Sequence, residues 1–259
     1  MVLHGGPGAP GYMAAVARGL ADSFRVLEPF QRGSGAAPLR VADHVEDLRE
    51  LVEARCGGVR PALVGSSWGA MLALAFAAAH PGRTGPLALI GCGAFDPAAH
   101  ARLHASVEER LGAGLRRRLA HLPEEFPDPD QRLRAESDLI LPLYSCDLIT
   151  TDLELEACDA RAHEETWADM VRLQEQGVYP AAFSAIHGPV LMLHGAVDPH
   201  PGRLILASLQ RHIPQIEYHE WDQCGHYPWL ERTVRAEFFS LLRGWLSSHL
   251  VGALRASDP

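Results

Sequence analysis

The stretch that decides the fold is Gly65–Gly69, with the sequence Gly-Ser-Ser-Trp-Gly. It follows an apolar run at 61–64 and precedes a helix-like run at 70–79. A small-x-Ser-x-small pentapeptide between a buried strand and a helix is typical of a nucleophile elbow. Bulky residues at either end of so tight a turn would clash, and the turn displays Ser67 above the sheet. Because a helix N-terminus favours negative charge, the pattern predicts Ser67 as a nucleophile.

Three further segments fit this prediction, and they follow in a consistent chain order. The glycines of His4–Gly8 (His-Gly-Gly-Pro-Gly) follow a strand-like start and let backbone N–H groups face a cavity. Asp198 lies where a buried strand ends and a turn begins, and His226 lies in a loop after the last predicted strand. The order Ser67, Asp198, His226 is the triad order of α/β-hydrolases and differs from those of chymotrypsin and subtilisin.

These residues predict acyl transfer in two halves. His226 accepts the Ser67 proton as Ser67 attacks an ester or amide carbonyl, and Asp198 holds the imidazole in the required tautomer. The backbone N–H groups of Gly6 and Trp68 are predicted to bind the oxyanion of the tetrahedral intermediate. Water activated by His226 then hydrolyses the acyl-enzyme. This chemistry requires no metal and no cofactor.

A family resemblance rests on three motifs. The sequence at 4–8 is identical to the oxyanion motif of the proline iminopeptidase-like α/β-hydrolases, and 65–69 resembles their Gly-Gly-Ser-Trp-Gly elbow. Gln-Arg-Gly-Ser-Gly at 31–35 resembles their Asp-Gln-Arg-Gly-Ser-Gly loop. The likeness covers the first 80 residues well and residues 189–250 in outline. It implies an α/β-hydrolase fold and serine hydrolase activity.

Two departures from that group bear on the substrate. Phe30 stands where the group has an aspartate. The Glu-rich signatures that hold the free amine of an N-terminal proline in that group are also missing, because the nearest segment, 164–167 (Glu-Glu-Thr-Trp), matches them too loosely. We therefore expect a serine hydrolase that cleaves a small ester or acyl substrate. A proline iminopeptidase-like aminopeptidase is the alternative within the same chemistry. A non-catalytic, ligand-binding α/β-hydrolase is the alternative from another class.

Strand-like and helix-like segments alternate along the chain, which predicts a mostly parallel sheet flanked by helices. The predicted strands are 1–4, 24–29, 61–65, 86–91, 189–194 and 216–221. The predicted helices are 41–55, 69–80, 202–212 and 232–249.

The apolar spacing becomes helical throughout 96–188, with breaks at prolines and Gly177. We therefore predict a hydrolase core formed by 1–95 and 189–259, with a helical cap inserted at 96–188. This segment holds 18 acidic residues and 9 arginines, so it accounts for the whole net charge of −9. A solvated helical surface explains this charge, and a cavity mouth that attracts a cationic group is the alternative.

The chain begins at Met1, directly before the His-Gly-Gly-Pro-Gly strand, whereas related hydrolases usually have two strands earlier. The first two strands of the usual fold are therefore expected to be absent. The predicted strand at 24–29 would then be an exposed edge, only partly blocked by Pro29. An exposed edge favours pairing with another chain, so we predict a homodimer or some other covering of this edge.

Other residues near these motifs receive structural interpretations. Ser66 adjoins the elbow centre and is expected to be structural. Asp96, after an earlier strand, competes with Asp198 for the role of the acid. His4 and His194 each precede a glycine at a strand end and are expected to shape loops. Arg32 is expected to form a structural ion pair rather than bind a carboxylate.

Composition narrows the partners. All 23 basic residues are arginine, which excludes a Schiff-base lysine and a P-loop lysine. The acidic balance and the absence of a basic stripe argue against nucleic acid, and no apolar run suits a membrane span. Five cysteines without metal spacing, and an N-terminus without a signal-peptide pattern, predict a cytoplasmic protein with reduced thiols. The predicted partner is a small-molecule ester or a short peptide.

Overall fold

A computed structural model describes the backbone of residues 1–255 and the side chains of residues 1–250. Its sheet has five parallel strands in the spatial order β1-β2-β3-β4-β5, so each strand lies beside the next one in the chain. The strands are β1 (Val2–Leu3), β2 (Leu63–Ser66), β3 (Leu87–Ile90), β4 (Val190–Gly195) and β5 (Ile216–Trp221).

Helices connect these strands and cover both faces of the sheet. Short 3₁₀ turns lie at Leu141–Leu143 and Ala181–Ala185. The helices are α1 (Ala14–Ala21), α2 (Val41–Cys56), α3 (Trp68–Ala79), α4 (Pro97–Arg110), α5 (Ala113–Glu125), α6 (Pro129–Ile140), α7 (Ala160–Glu175), α8 (Gly202–Gln210) and α9 (Arg235–Arg255).

The sheet is buried on both faces, which is why its strands are continuous apolar runs rather than alternating ones. Successive strand residues enter different cores: Leu63 packs with α2, α3 and α8, whereas Val64 packs with α1 and α9. Helix α3 is buried along almost its whole length. The predicted α/β-hydrolase fold with a parallel sheet is confirmed, and the helix behind the elbow is held rigidly against the sheet.

The predicted strand at 24–29 is wrong. This segment forms no ladder; among the described residues, the Val2 N–H, which donates to the Leu27 carbonyl (2.8 Å), makes its one backbone hydrogen bond to β1. Pro29 has no N–H to offer a neighbouring strand, so pairing does not continue along the segment. The strand at this edge of the sheet is therefore β1, and a homodimer through the edge stays a prediction.

The chain between β3 and β4 contributes α4 to α7 and the two 3₁₀ turns. Helix α7 is joined to the start of α2 by polar contacts: the Val41 N–H donates to Asp169 Oδ2 (2.9 Å), and His44 Nε2 lies 2.9 Å from Thr166 Oγ1. Helix α6, in contrast, has no fully buried residue. None of the described helices combines the length and the hydropathy that a bilayer crossing needs.

Candidate active site

The elbow at the end of β2 holds Ser67 in a strained backbone conformation. Ser67 has φ 53° and ψ −119°, and its N–H donates to the Ile90 carbonyl on the next strand (2.8 Å). A Cβ at Gly65 would overlap the backbone of Gly69, and one at Gly69 would overlap the Leu3 carbonyl. The small residues predicted from the pattern are thus required by these close approaches. A non-glycine residue at positive φ costs about 1–3 kcal/mol, and such strain is typical of functional sites.

Asp198 and His226 meet after β4 and β5. His226 Nδ1 lies 2.5 Å from Asp198 Oδ2, and both side chains are buried. A carboxylate can only accept, so Nδ1 carries the proton and Nε2 is left with a lone pair. Burial alone would raise the pKa of Asp198, but the imidazoles of His226 and His200 and their hydrogen bonds hold it well below its usual value. The carboxylate is therefore ionised and holds the His226 ring in one tautomer.

Gly91, directly after β3, makes room for this pair. It has φ +53°, and a Cβ here would lie 2.8 Å from His226 Nδ1 and 3.3 Å from Asp198 Oδ2. Any side chain would displace the imidazole from the carboxylate, so Gly91 is part of the packing that positions both groups.

Glu231 fixes the loop that carries His226. Although a glutamate, it is fully buried, and its carboxylate accepts the N–H groups of Gly225 (2.9 Å), Cys146 (2.9 Å) and Asp147 (2.6 Å). The His226 N–H donates to the Tyr144 carbonyl (2.7 Å). The loop is therefore held by hydrogen bonds to the segment that follows α6. The sequence analysis missed Glu231, because a glutamate beside an arginine suggests a surface position.

Gln31 connects the two predicted oxyanion segments. Its side-chain Nε2 donates to the His4 carbonyl (2.8 Å), and its Oε1 accepts from Trp68 Nε1 (2.6 Å). The two partners fix the orientation of the amide, since a carbonyl only accepts and an indole N–H only donates. Gly6, at φ +49°, and Trp68 both line the cavity beside Ser67. Gln31 thus couples the position of the Gly6 loop to that of the elbow.

We expect Gln31→Leu to lower kcat by about 10- to 100-fold with little change in KM. It removes both side-chain bonds and loosens two donors that must stay aligned. Steady-state hydrolysis of p-nitrophenyl acetate measures this. Gln210→Leu, at an exposed position on α8, is the matched control. An unchanged kcat in Gln31→Leu would show that Gln31 does not align the donors.

His4 is neutral in the folded protein. It is buried, its Nε2 accepts the Gln31 N–H (3.1 Å) and its Nδ1 donates to the Gly5 carbonyl (2.9 Å). Burial lowers the pKa of His4 to about 4. His4 therefore shapes the loop, as predicted, and is not a base.

The buried ring makes stability depend on pH. The unfolded chain binds a proton at this ring below about pH 6.5, whereas the folded chain does so only near pH 4. The contribution of this ring to the free energy of unfolding is therefore complete above pH 6.5. As the pH falls the contribution is lost, and at pH 4 the protein is about 3 kcal/mol less stable on account of this group. Urea unfolding measured from pH 7.5 to pH 4 should show a smaller fall in the free energy of unfolding for His4→Asn than for the wild type. His187 is exposed, so the control variant His187→Gln should show the same pH dependence of stability as the wild type. An equal pH dependence in all three proteins would contradict the assignment of the effect to His4.

Ser67 and His226 face one cavity of about 680 Å³. No hydrogen bond joins their side chains in the described part of the chain, and in an enzyme without substrate such contacts are often longer than in the reacting complex. Residues of α4 and α7, including Leu103 and Trp167, also line this cavity. Glu175 adds a carboxylate to the lining, whereas Asp96 Oδ2 is closed off from solvent, and the described lining contains no arginine.

The other residues considered from the sequence lie outside this proton path. Asp96 caps α4, with Oδ1 accepting the Ala99 N–H (3.0 Å), and Arg32 pairs with Asp47. His194 Nε2 donates to the His200 carbonyl (2.9 Å). Ser66 is fully buried in β2.

His200 is a second imidazole on Asp198 that the sequence analysis missed. Together with His226 it brings a carboxylate oxygen and two ring nitrogens within 4.8 Å of one another, close enough to hold a metal ion. Both imidazoles, however, already form hydrogen bonds with Asp198 through Nδ1. The Nδ1 atoms of both rings are therefore taken up by Asp198, and the Nε2 atom of each ring has no hydrogen-bond partner among the described residues.

The fold and the site together define an α/β-hydrolase: a parallel sheet, a strained serine between strand and helix, and a His–Asp pair beyond later strands. The profile described as "Alpha/beta hydrolase family" matches residues 1–238, and the chain belongs to this family and is a hydrolase.

Known relatives include enzymes of two kinds. The proline iminopeptidase of Lactobacillus crispatus (strain ST1) is 28% identical over 285 residues, spanning 96% of this chain and 90% of the relative. The crystal structure of a Mycobacterium smegmatis proline iminopeptidase has a TM-score of 0.62 at 20% identity, over 97% of this chain and 90% of that one. A thermophilic esterase from Thermogutta terrifontis has a TM-score of 0.63 at 22% identity, over 96% and 89%. These structural matches show the shared fold.

Proposed function

We propose that this hydrolase cleaves small ester or acyl substrates through Ser67, His226 and Asp198. The observation that carries the proposal is the strained Ser67 facing the same cavity as His226, whose Nδ1 is held by a buried carboxylate. A serine at positive φ is energetically unfavourable, and no other described residue forms a hydrogen bond with its hydroxyl.

In the proposed reaction, Ser67 Oγ attacks the carbonyl carbon while its proton passes to His226 Nε2. Asp198 stabilises the imidazolium, and the backbone N–H groups of Gly6 and Trp68 bind the oxyanion, with each such donor contributing about 3–4 kcal/mol. The imidazolium then protonates the leaving group, and the carbon–leaving-group bond breaks. Water, deprotonated by His226, releases the acid from the acyl-enzyme and restores Ser67.

We also propose that residues 96–188 act as a cap over this site. Residues of α4 and α7 line the same cavity as the elbow. The contacts of α7 with the start of α2 support a fixed attachment at one end of the cap. The shape of the substrate pocket then depends on α4 and α7, which lie outside the core sheet.

An aminopeptidase is the second candidate. Glu175 in a cavity whose described lining contains no arginine would suit a substrate ammonium group, and the curated relatives include proline iminopeptidases. Phe30 and the missing amine-binding signature favour the esterase.

A paired rate assay distinguishes the candidates. One arm uses short and medium p-nitrophenyl esters, and the other uses prolyl and alanyl p-nitroanilides with free amino termini. The esterase proposal expects ester turnover alone. Anilide turnover that is lost when the amine is acetylated would establish the aminopeptidase instead, and no turnover in either arm would contradict both.

A further inference from the structure

Asp198 holds two imidazoles, of which the proposed reaction uses one. Oδ2 accepts from His226 Nδ1, while Oδ1 accepts both the backbone N–H of His200 (2.9 Å) and its ring Nδ1–H (2.8 Å). The second imidazole is therefore attached to the catalytic carboxylate as firmly as the first, yet it has no part in the proton transfer from Ser67.

The bond to Asp198 fixes what His200 can offer a ligand. Because a carboxylate only accepts, His200 Nδ1 carries the proton and Nε2 is an acceptor. Burial lowers the pKa of His200, so the ring is neutral at pH 7. A neutral ring held in one tautomer presents a lone pair and no donor at its far end.

The ring of His200 borders the substrate cavity. His200 lines this cavity with Ser67 and His226 and also borders a second pocket beside Arg110, and its side chain is 12% exposed. Its Nε2 has no hydrogen-bond partner among the described residues. It also differs from His44 Nδ1 and His194 Nδ1, which lack a partner but are closed off from solvent. The acceptor is therefore free to meet a ligand.

The ring position indicates which part of the ligand it meets. His200 stacks on His226 with ring centroids 4.8 Å apart and an interplanar angle of 21°. His226 delivers its proton to the leaving group, so a ring on its face lies beside the leaving group rather than the acyl group.

We propose that His200 determines specificity by accepting, at Nε2, a hydrogen bond from a hydroxyl or ammonium group on the leaving group of the substrate. The inference rests on the proposed serine hydrolase function and narrows it to esters whose alcohol carries a second donor, such as diol monoesters or esters of amino alcohols. Glu175, in a cavity whose described lining contains no arginine, is compatible with neutral and cationic leaving groups.

Two matched ester pairs test this inference. The neutral pair is 2-hydroxyethyl acetate and 2-methoxyethyl acetate, and the cationic pair is protonated 2-(dimethylamino)ethyl acetate and acetylcholine. The members of each pair differ by one methyl group that replaces the donor hydrogen. We expect the wild type to favour the donor ester in kcat/KM by about 5- to 10-fold, the value of one hydrogen bond.

The variants are His200→Phe, which keeps an aromatic ring beside His226, and His200→Gln, which can bond Asp198 through its amide and still present an oxygen. We expect the selectivity ratio to fall to about 1 in His200→Phe and to be partly retained in His200→Gln. The ratio is independent of any general loss of activity. A wild-type ratio near 1 in both pairs, or an unchanged ratio in His200→Phe, would overturn the inference.

Labelling by a fluorophosphonate separates this failure from failure of the proposed function. If the wild type is labelled at Ser67 and hydrolyses both members of each pair equally, only the role of His200 is overturned. If the folded wild type is neither labelled nor active on any ester, the serine hydrolase proposal falls and the inference falls with it. A preference in one pair alone identifies the charge of the donor that His200 accepts.

Discussion

Replacing Ser67 with alanine is expected to lower kcat by at least about 10⁴-fold, because the other hydroxyl on the elbow, that of Ser66, is fully buried outside the cavity lining. Ser67→Gly should be equally inactive. Its free energy of unfolding should also be about 1 kcal/mol higher than that of the wild type, since glycine relieves the strain of φ 53°. Hydrolysis of p-nitrophenyl acetate and urea unfolding measure the two effects on the same preparations.

Ser66→Ala is the matched control for both variants. Ser66 is the neighbouring serine, fully buried in β2 and outside the cavity lining, so its loss should leave kcat within a few-fold of the wild type. Comparable activity in Ser67→Ala and the wild type would contradict the assignment of the nucleophile. Lower stability in Ser67→Gly would contradict the strain argument.

The second large effect is expected from Asp198→Asn, which should lower kcat by about 10⁴-fold with a smaller change in KM. An asparagine offers one acceptor oxygen, whereas the carboxylate now accepts from His226 on one oxygen and His200 on the other. One imidazole must therefore face an amide N–H, and His226 loses the enforced tautomer that makes Nε2 a base.

Asp222→Asn, on the exposed surface after β5, is the control for the change of one charge. The kcat and KM of both variants on the same ester, together with circular dichroism to verify folding, complete the test. A folded Asp198→Asn enzyme with kcat within about ten-fold of the wild type would contradict the role of Asp198.

The sequence predicted the central part of the fold well because the signals there are local. Strands β2 to β5 and helices α2, α3 and α8 lie within a few residues of their predicted positions, since continuous apolar runs between turns report burial directly. The small residues of the elbow likewise follow from local sterics. The short β1 also lies within its predicted range.

What the sequence could not reveal depends on distant partners. The apolar residues of 24–29 resemble a strand, but a ladder needs a neighbour along its whole length, and the contact with Val2 is too brief. Helix α1 follows a segment rich in glycine and proline, which masked its start. The separate helices of 96–188 share one continuous helical periodicity, so their boundaries and packing stayed unresolved.

The candidate site also contains some residues that the local sequence predicts and others that it does not. Ser67, Asp198 and His226 follow from motif and order. The buried carboxylate of Glu231 accepts from Cys146, which lies 85 residues earlier in the chain, so the local sequence gives no signal for it. The position of His200 two residues after the acid is a signal that could have been noticed, because an Asp side chain can bond the backbone and ring of such a neighbour.

Fluorophosphonate labelling, followed by intact-mass measurement and peptide mapping, shows directly whether Ser67 is an activated nucleophile. We expect one adduct per chain in the wild type and in Ser66→Ala, located on Ser67, and none in folded Ser67→Ala. Folded wild-type protein that takes no label, or an adduct that persists in Ser67→Ala, would contradict it.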